Sequence, residues 1–96
     1  MRTFRNLRVA SVLNKELAKF LEKEFDFDNA VVTITNIEVD EKLETAKVTI
    51  SIFPFEKSLD VYKMIVEHLP KIQFSMLRKM NIKPMPRIKF FIQENN

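Results

Sequence analysis

Ten lysine and arginine side chains occupy two stretches of this sequence that contain no acidic residue. They are Arg2, Arg5, Arg8 and Lys15 in residues 1–15, and Lys71, Arg78, Lys79, Lys83, Arg87 and Lys89 in residues 71–89. Residues 16–70 hold twelve acids against six lysines, so the net charge of +3 conceals a strong segregation. If the two stretches meet in space, they form one basic patch, which is the surface expected for a polyanion such as nucleic acid. The alternative is that both are solvated faces that keep the protein soluble.

Residues for covalent, redox or metal chemistry are scarce. The sequence has no Cys, no Gly and one His, which excludes thiolate sites, the phosphate-binding glycine loops and the nucleophile elbow. The acid pairs Glu22/Asp26 and Asp26/Asp28 accompany no cofactor motif, and we interpret them as helix-end and turn residues. We therefore predict that the protein is not an enzyme and uses no metal, cofactor or small-molecule substrate.

Length and composition indicate one globular domain over residues 1–96. The chain is 46% hydrophobic and 30% charged, which is too apolar for a disordered protein. No apolar run approaches the roughly 20 residues that span a bilayer, so we expect no membrane partner. Absence of Cys agrees with a reducing compartment. We expect a cytoplasmic protein, with an organellar matrix as the alternative, that is monomeric when free.

The first half of the chain predicts a helix followed by a β-hairpin. Helical spacing of Val9, Leu13, Leu17, Phe20 and Leu21 predicts a helix over 5–24, with Arg5, Arg8, Lys15 and Lys19 along one flank. Residues 30–40 are rich in Val, Ile and Thr and predict a strand. Residues 45–53 alternate between apolar and polar side chains, which predicts a strand with one covered face that Pro54 ends.

The second half predicts two helices and a closing strand. We expect Ser58 to cap a helix whose buried side carries Leu59, Tyr62, Ile65, Val66 and Leu69. Pro70 predicts a bend at residues 68–70, because proline breaks a helix interior but suits a first turn. A third helix then runs to about Asn81. Its expected apolar side comprises Ile72, Met76, Leu77 and Met80, and a strand over 87–93 follows.

These elements predict an α+β fold with the order α-β-β-α-α-β. Two successive strands and a third after a helical excursion suggest a three-stranded sheet with helices packed on one face. This is the arrangement of the type II KH domain, which binds single-stranded or exposed RNA. The KH signature loop uses glycines to approach the RNA backbone. Since this chain has none, the ordinary clamping of four nucleotides is not available to it.

Several short motifs, in their order and spacing, resemble the ribosome-binding factor A family. Arg5-Asn-Leu-Arg8-Val9 and Glu16-Leu17 lie in the first helix, and residues 32–39 and 43–51 cover the hairpin. Ile72 and Leu77 follow in the third helix. Residues 85–90, Met-Pro-Arg-Ile-Lys-Phe, are similar to the family's Pro-Glu-Leu-x-Phe ending. The resemblance covers roughly residues 5–92.

The resemblance implies a glycine-poor, type II KH-like fold with a helix-kink-helix near His68–Pro70. It also implies an assembly factor that binds the immature small ribosomal subunit and its rRNA. His68-Leu69-Pro70 stands where the family has an Ala-x-Gly motif, and Asp26-Phe27-Asp28 where it tends to have Asp-Pro-Arg. A third departure is that three residues, 94–96, follow the last predicted strand, where the family has a C-terminal tail.

With this resemblance, the basic stretches and one aromatic ring become RNA-binding candidates. The predicted set is Arg2, Arg5, Arg8, Lys15, Lys71, Phe74, Arg78, Lys79 and Lys83. Phe74 is included because it leaves the apolar arc of its helix, whereas Tyr62 is expected in the core and His68 at the bend. The alternative function is a protein–protein adaptor or ribosome component that docks through a Met-rich helical face, with Met76, Met80 and Met85.

Overall fold

The computed structural model describes residues 4–93, which form three helices and three strands in the predicted order. In sequence they are α1 (Arg5–Glu24), β1 (Val31–Val39), β2 (Thr45–Phe53), α2 (Ser58–Glu67), α3 (Leu69–Met80) and β3 (Arg87–Ile92). A single 3₁₀ turn, Phe55–Lys57, precedes α2. The α+β class and the order α-β-β-α-α-β are confirmed.

The strands form one mixed sheet in the order β1-β2-β3. Strands β1 and β2 make the predicted antiparallel hairpin, paired from Val31 opposite Phe53 to Val39 opposite Ala46, with a bulge between Ile34 and Asn36. Strand β3 lies parallel to β2, with Thr45 opposite Arg87. A parallel neighbour needs a crossover connection, and α2 and α3 provide it.

The core lies between the helices and one face of the sheet, as predicted. Strand β2 buries alternate side chains, and the expected stripe of α1 is buried along its whole length. Ile88 and Phe90 of β3 join the same core. Burial of apolar side chains at this interface supplies the main stabilisation of the fold.

Helix α2 departs from the sequence-based expectation in two respects. Ser58 is not its N-cap, because the 3₁₀ turn runs directly into the helix and Lys57 takes the cap position without a side-chain hydrogen bond. The predicted core residues Leu59 and Val66 are 72% and 41% exposed. Val61 is buried together with the predicted core residue Ile65, because this helix turns a single i, i+4 row towards the core.

Helix α3 buries a narrower face than expected. Ile72 and Met76 are fully buried, and Met80 packs against the core, but Leu77 is 41% exposed and its predicted core position was wrong. Leu77 lies one residue, or about 100°, beyond Met76 and so turns away from the sheet. Burial of Met76, with Met85 also packed against the core, removes the Met-rich docking face that the adaptor alternative required.

The bend between α2 and α3 is present where Pro70 predicts it. The backbone amide of His68 donates to the carbonyls of Met64 and Ile65 as α2 ends, and Pro70 lies in the first turn of α3. The His68 ring lies edge-on to Phe25, with centroids 5.3 Å apart, and its Nδ1 is 2.8 Å from the Met64 carbonyl oxygen. The structure therefore confirms the helix-kink-helix, with an exposed His68 at the bend.

Without glycine, other residues occupy the left-handed backbone positions. Asp28 and Asn29 have φ of 53° and 67° in the turn after α1, and Asn81 has φ of 49° at the end of α3. Asp and Asn tolerate this region because their short polar side chains bond locally. The Asp26 carboxylate accepts the Asp28 amide at 3.0 Å. The predicted turn chemistry of residues 26–29 is confirmed.

Candidate nucleic-acid interface

The two acid-free stretches meet where α1 begins. The Arg5 guanidinium donates to the carbonyl oxygen of Lys83 at 3.1 Å, across 78 residues of sequence. At the next residue, the Asn6 side-chain amide donates to the Val39 carbonyl at 3.0 Å and ties the helix to the end of β1. The two stretches therefore meet in space at this point, which the sequence alone could not show.

The outer side of α3 carries the other basic candidates. Lys71, Arg78 and Lys79 are exposed, and Arg78 places its guanidinium carbon 5.7 Å from the centroid of the Phe74 ring. Phe74 itself is 58% exposed. A cation beside an exposed aromatic ring offers both phosphate contact and base stacking.

Gln73 fixes the position of α3 relative to β3. Its side-chain amide nitrogen donates to the Pro86 carbonyl at 2.8 Å, and its oxygen accepts the Ile88 amide at 2.8 Å. One side chain thus satisfies both a donor and an acceptor of the chain entering β3. These two bonds hold the basic side of α3 in register with the 83–86 connector. Sequence reasoning missed Gln73, since a lone Gln in a helix carries no signal of its partner.

The candidate cations are not neutralised by acidic neighbours within residues 4–93. This part of the chain forms two ion pairs, Lys19 with Glu16 at 4.0 Å and Lys57 with Asp28 at 3.5 Å. Neither pair includes an RNA-binding candidate. The charge of the candidates therefore remains available for an external anion.

We define the basic surface by the predicted residues that the structure describes, all of which are exposed. They are Arg5, Arg8, Lys15, Lys71, Phe74, Arg78, Lys79 and Lys83. The structure brings Arg5 to Lys83 and Phe74 to Arg78. Lys15 lies ten residues beyond Arg5 on α1, or about 15 Å along its axis. Arg2 lies outside the described residues.

The open face of the sheet carries further basic and aromatic residues outside the predicted set. Arg87, Lys89 and Phe91 point away from the helices, and the Lys47 ammonium lies 5.4 Å from the Phe91 ring centroid. Alternation along residues 87–92 was the available signal for this placement. Tyr62, in contrast, is half-buried and donates its hydroxyl to the Phe90 carbonyl at 3.0 Å, as a core residue does.

The described residues contain neither a candidate metal-binding cluster nor a candidate membrane-spanning helix. Between residues 4 and 93, no three His, Asp or Glu side chains cluster in a way that could hold a metal ion. None of the helices in that range combines the length and apolarity that a bilayer crossing needs.

Comparison with known proteins identifies one family. The sequence model of ribosome-binding factor A matches residues 5–96. No curated protein matches the chain in sequence. In structure, the chain is similar to a homology model of Thermus thermophilus ribosome-binding factor A, fitted into a cryo-EM map of a 30S complex with that factor. The TM-score is 0.72 at 15% identity, over 88% of this chain and 90% of the other. At that identity the likeness concerns the fold.

Proposed function

Because the chain belongs to the ribosome-binding factor A family, we propose that it is an assembly factor that binds the immature small ribosomal subunit through rRNA. The Thermus protein of similar fold was placed in a 30S complex, which supports the same class of partner here. The proposed contact is the basic surface, with Arg2 as an additional candidate.

The convergence of the two acid-free stretches is the observation that carries this proposal. Arg5 and Lys83 come from opposite ends of the sequence and are joined by a hydrogen bond. Arg8, Arg78 and Lys79, from the same two stretches, are exposed and form no ion pair with the described acids. A folded rRNA presents phosphates from several strands, and cations spread over two helices can contact them together.

Binding of this kind gives affinity and orientation before base specificity. Lysine and arginine contacts to phosphate release counterions, and the affinity then falls steeply as salt rises. Phe74 adds a ring on which an exposed base can stack. The bend at Pro70 stands where ordinary KH domains have their glycine loop, and in this proposal side chains, not close backbone contacts, bind the RNA.

Co-sedimentation with purified immature and mature small subunits tests this function. We expect binding to immature subunits at low salt that exceeds binding to mature ones. Six or more phosphate contacts predict a loss of affinity of about 10³-fold between 50 and 200 mM salt. If the chain binds neither immature nor mature subunits at low salt, the proposal is contradicted. Tight binding without salt dependence would show that apolar contacts, and not the basic surface, hold the complex.

A further inference from the structure

Strand β1 forms an edge of the sheet, and part of its backbone faces outwards. The carbonyl of Ile50 in β2 accepts the Gln93 amide on the β3 side, so it is directed away from β1. Ile34 lies opposite Ile50, and Val32 lies opposite Ile52. In an antiparallel ladder such pairs direct their N–H and C=O groups to the outer edge. Within residues 4–93 no further strand pairs there.

The first half of this edge lacks the usual protection against strand addition. Residues 31–34 read Val-Val-Thr-Ile, with no proline and no charge, and they precede the bulge at residues 34–36. Proteins usually blunt exposed edges with lysine, proline or a bulge. In β1 the bulge interrupts the edge only after Ile34, so a straight, β-branched segment of four residues remains open.

A groove of about 640 Å³ runs beside this unprotected segment. Its walls are Val31–Ile34 on one side and the second half of α1, including Ala18 and Leu21, on the other. Phe25 and Phe27 also line the groove, and their rings stack in parallel with centroids 5.4 Å apart. An edge strand beside a helix, with a groove of mixed polar and apolar lining between them, is a geometry in which domains bind extended peptides.

The charge of the groove indicates what kind of segment it accepts. Glu22 and Asp26 are both exposed, and they are the charged residues among the described ones that line it. Asn14 and Asn29 add polar groups, and no Lys or Arg is among these lining residues. An acidic rim repels a nucleic-acid backbone and attracts lysine or arginine side chains.

We propose that this groove binds an extended, lysine- or arginine-bearing segment of a partner protein, which adds to β1 as a fourth strand. Backbone groups of Val32 and Ile34 pair with the incoming chain. Side chains on one face of the incoming strand enter the groove, where the apolar ones lie against Leu21 and Phe25 and a lysine or arginine at a groove-facing position lies against Glu22 and Asp26. The acidic rim is separate from the start of the basic surface, since Glu22 follows Arg5 by 17 residues, about 25 Å along α1, and Lys15 lies between them, three residues before Ala18.

The probe is a synthetic peptide, Thr-Val-Thr-Lys-Thr-Val, whose valines and lysine share one face of an extended strand, and it is added to the full chain. At saturation with peptide, we expect the hydrogen-exchange rates of the Val32 and Ile34 amides, measured by NMR, to fall about tenfold or more. A peptide N-methylated at alternate residues loses its edge donors, and we expect its affinity to fall about tenfold or more. Equal affinity for the two peptides, or unchanged exchange at both amides, would overturn strand addition.

Two variants of α1 separate this site from the proposed RNA contact. Ala18→Arg fills the groove from an exposed helix position, and we expect it to abolish peptide binding while subunit binding persists. Ser11→Arg makes the same exposed change outside the groove and retains both activities. Peptide binding that survives Ala18→Arg would place the peptide elsewhere. Oligo(uridine) that displaces the peptide from the unmodified chain would show that the groove takes RNA, against the proposal.

Discussion

The two ends of helix α1 differ in charge and in how they can bind a partner. At its start, Arg5 is bonded to Lys83 and basic side chains project from two helices. At its end, Glu22 and Asp26 rim a groove beside an open strand edge. Arg5 and Glu22 are about 25 Å apart along the helix, which is beyond the Debye length of about 8 Å at physiological salt, and Lys15 lies between them. The segregation of charge along the sequence therefore becomes a separation in space.

One small domain therefore presents two surfaces of unlike chemistry, one at each end of the same helix. The basic surface presents side-chain charge, which tolerates small shifts in position and responds strongly to salt. The groove presents backbone hydrogen-bonding groups, which demand an extended partner in one register. Both depend on the same core, since α1 packs on β1 and α3.

The largest effect is expected when that shared core is damaged. Ile72 is fully buried in α3, so Ile72→Ala should lower the free energy of unfolding by about 2–5 kcal/mol. Urea denaturation measures the change, and the exposed neighbour variant Lys71→Ala should shift it by less than about 0.5 kcal/mol. If the two ends share one cooperative unit, subunit and peptide binding should decline together with unfolding. Loss at one end alone would mean that the ends unfold separately.

A smaller effect is expected when the exposed ring of the basic surface is removed. Phe74→Ala deletes a stacking platform and should weaken subunit binding about tenfold, since stacking contributes about 1–3 kcal/mol for each base. The peptide affinity of the groove should not change. Phe53→Ala is the matched control, because Phe53 is exposed on the open sheet face. Equal losses from both variants would show that Phe74 has no special role.

The smallest effect is expected from one charge at the junction. Arg5→Gln should remove about one unit from the slope of log affinity against log salt. Lys63→Gln, in the acidic part of the sequence, should leave the slope unchanged. The slope is obtained from binding isotherms at four or more salt concentrations. A slope equal to that of the unmodified chain would show that Arg5 holds α1 against Lys83 and does not contact a phosphate.

Much of the fold could be predicted because its periodicities are unambiguous. The alternation of residues 45–53 and the stripe of α1 each allow one buried face, and Pro70 marks the bend. The buried face of helix α2 was harder to predict, because Leu59, Tyr62 and Val66 recur at helical spacing beside the buried residues Val61 and Ile65. Periodicity cannot decide which of these neighbouring rows is buried, because that depends on which side of the helix the sheet covers.

The candidate site was predictable as a set of charges but not as an arrangement. Exclusion of acids from residues 1–15 and 71–89 is visible in the sequence, whereas the contact of Arg5 with Lys83 follows from the packing of α1 against the 83–86 connector. Gln73 was missed because its partners, Pro86 and Ile88, lie across the fold. The groove was also missed, since it exists only because β1 is at the edge.

The assignment of the basic surface to rRNA is tested by the affinity of a doubly charge-reversed chain for immature small subunits. Arg78→Glu/Lys79→Glu reverses two exposed cations of the basic surface. Lys42→Glu/Lys63→Glu makes the same change of net charge at exposed positions outside it. We predict a loss of about 100-fold for the first pair and little change for the second, because only the first places carboxylates against phosphates. Equal affinities for the two variants would contradict the assignment of the basic surface to rRNA.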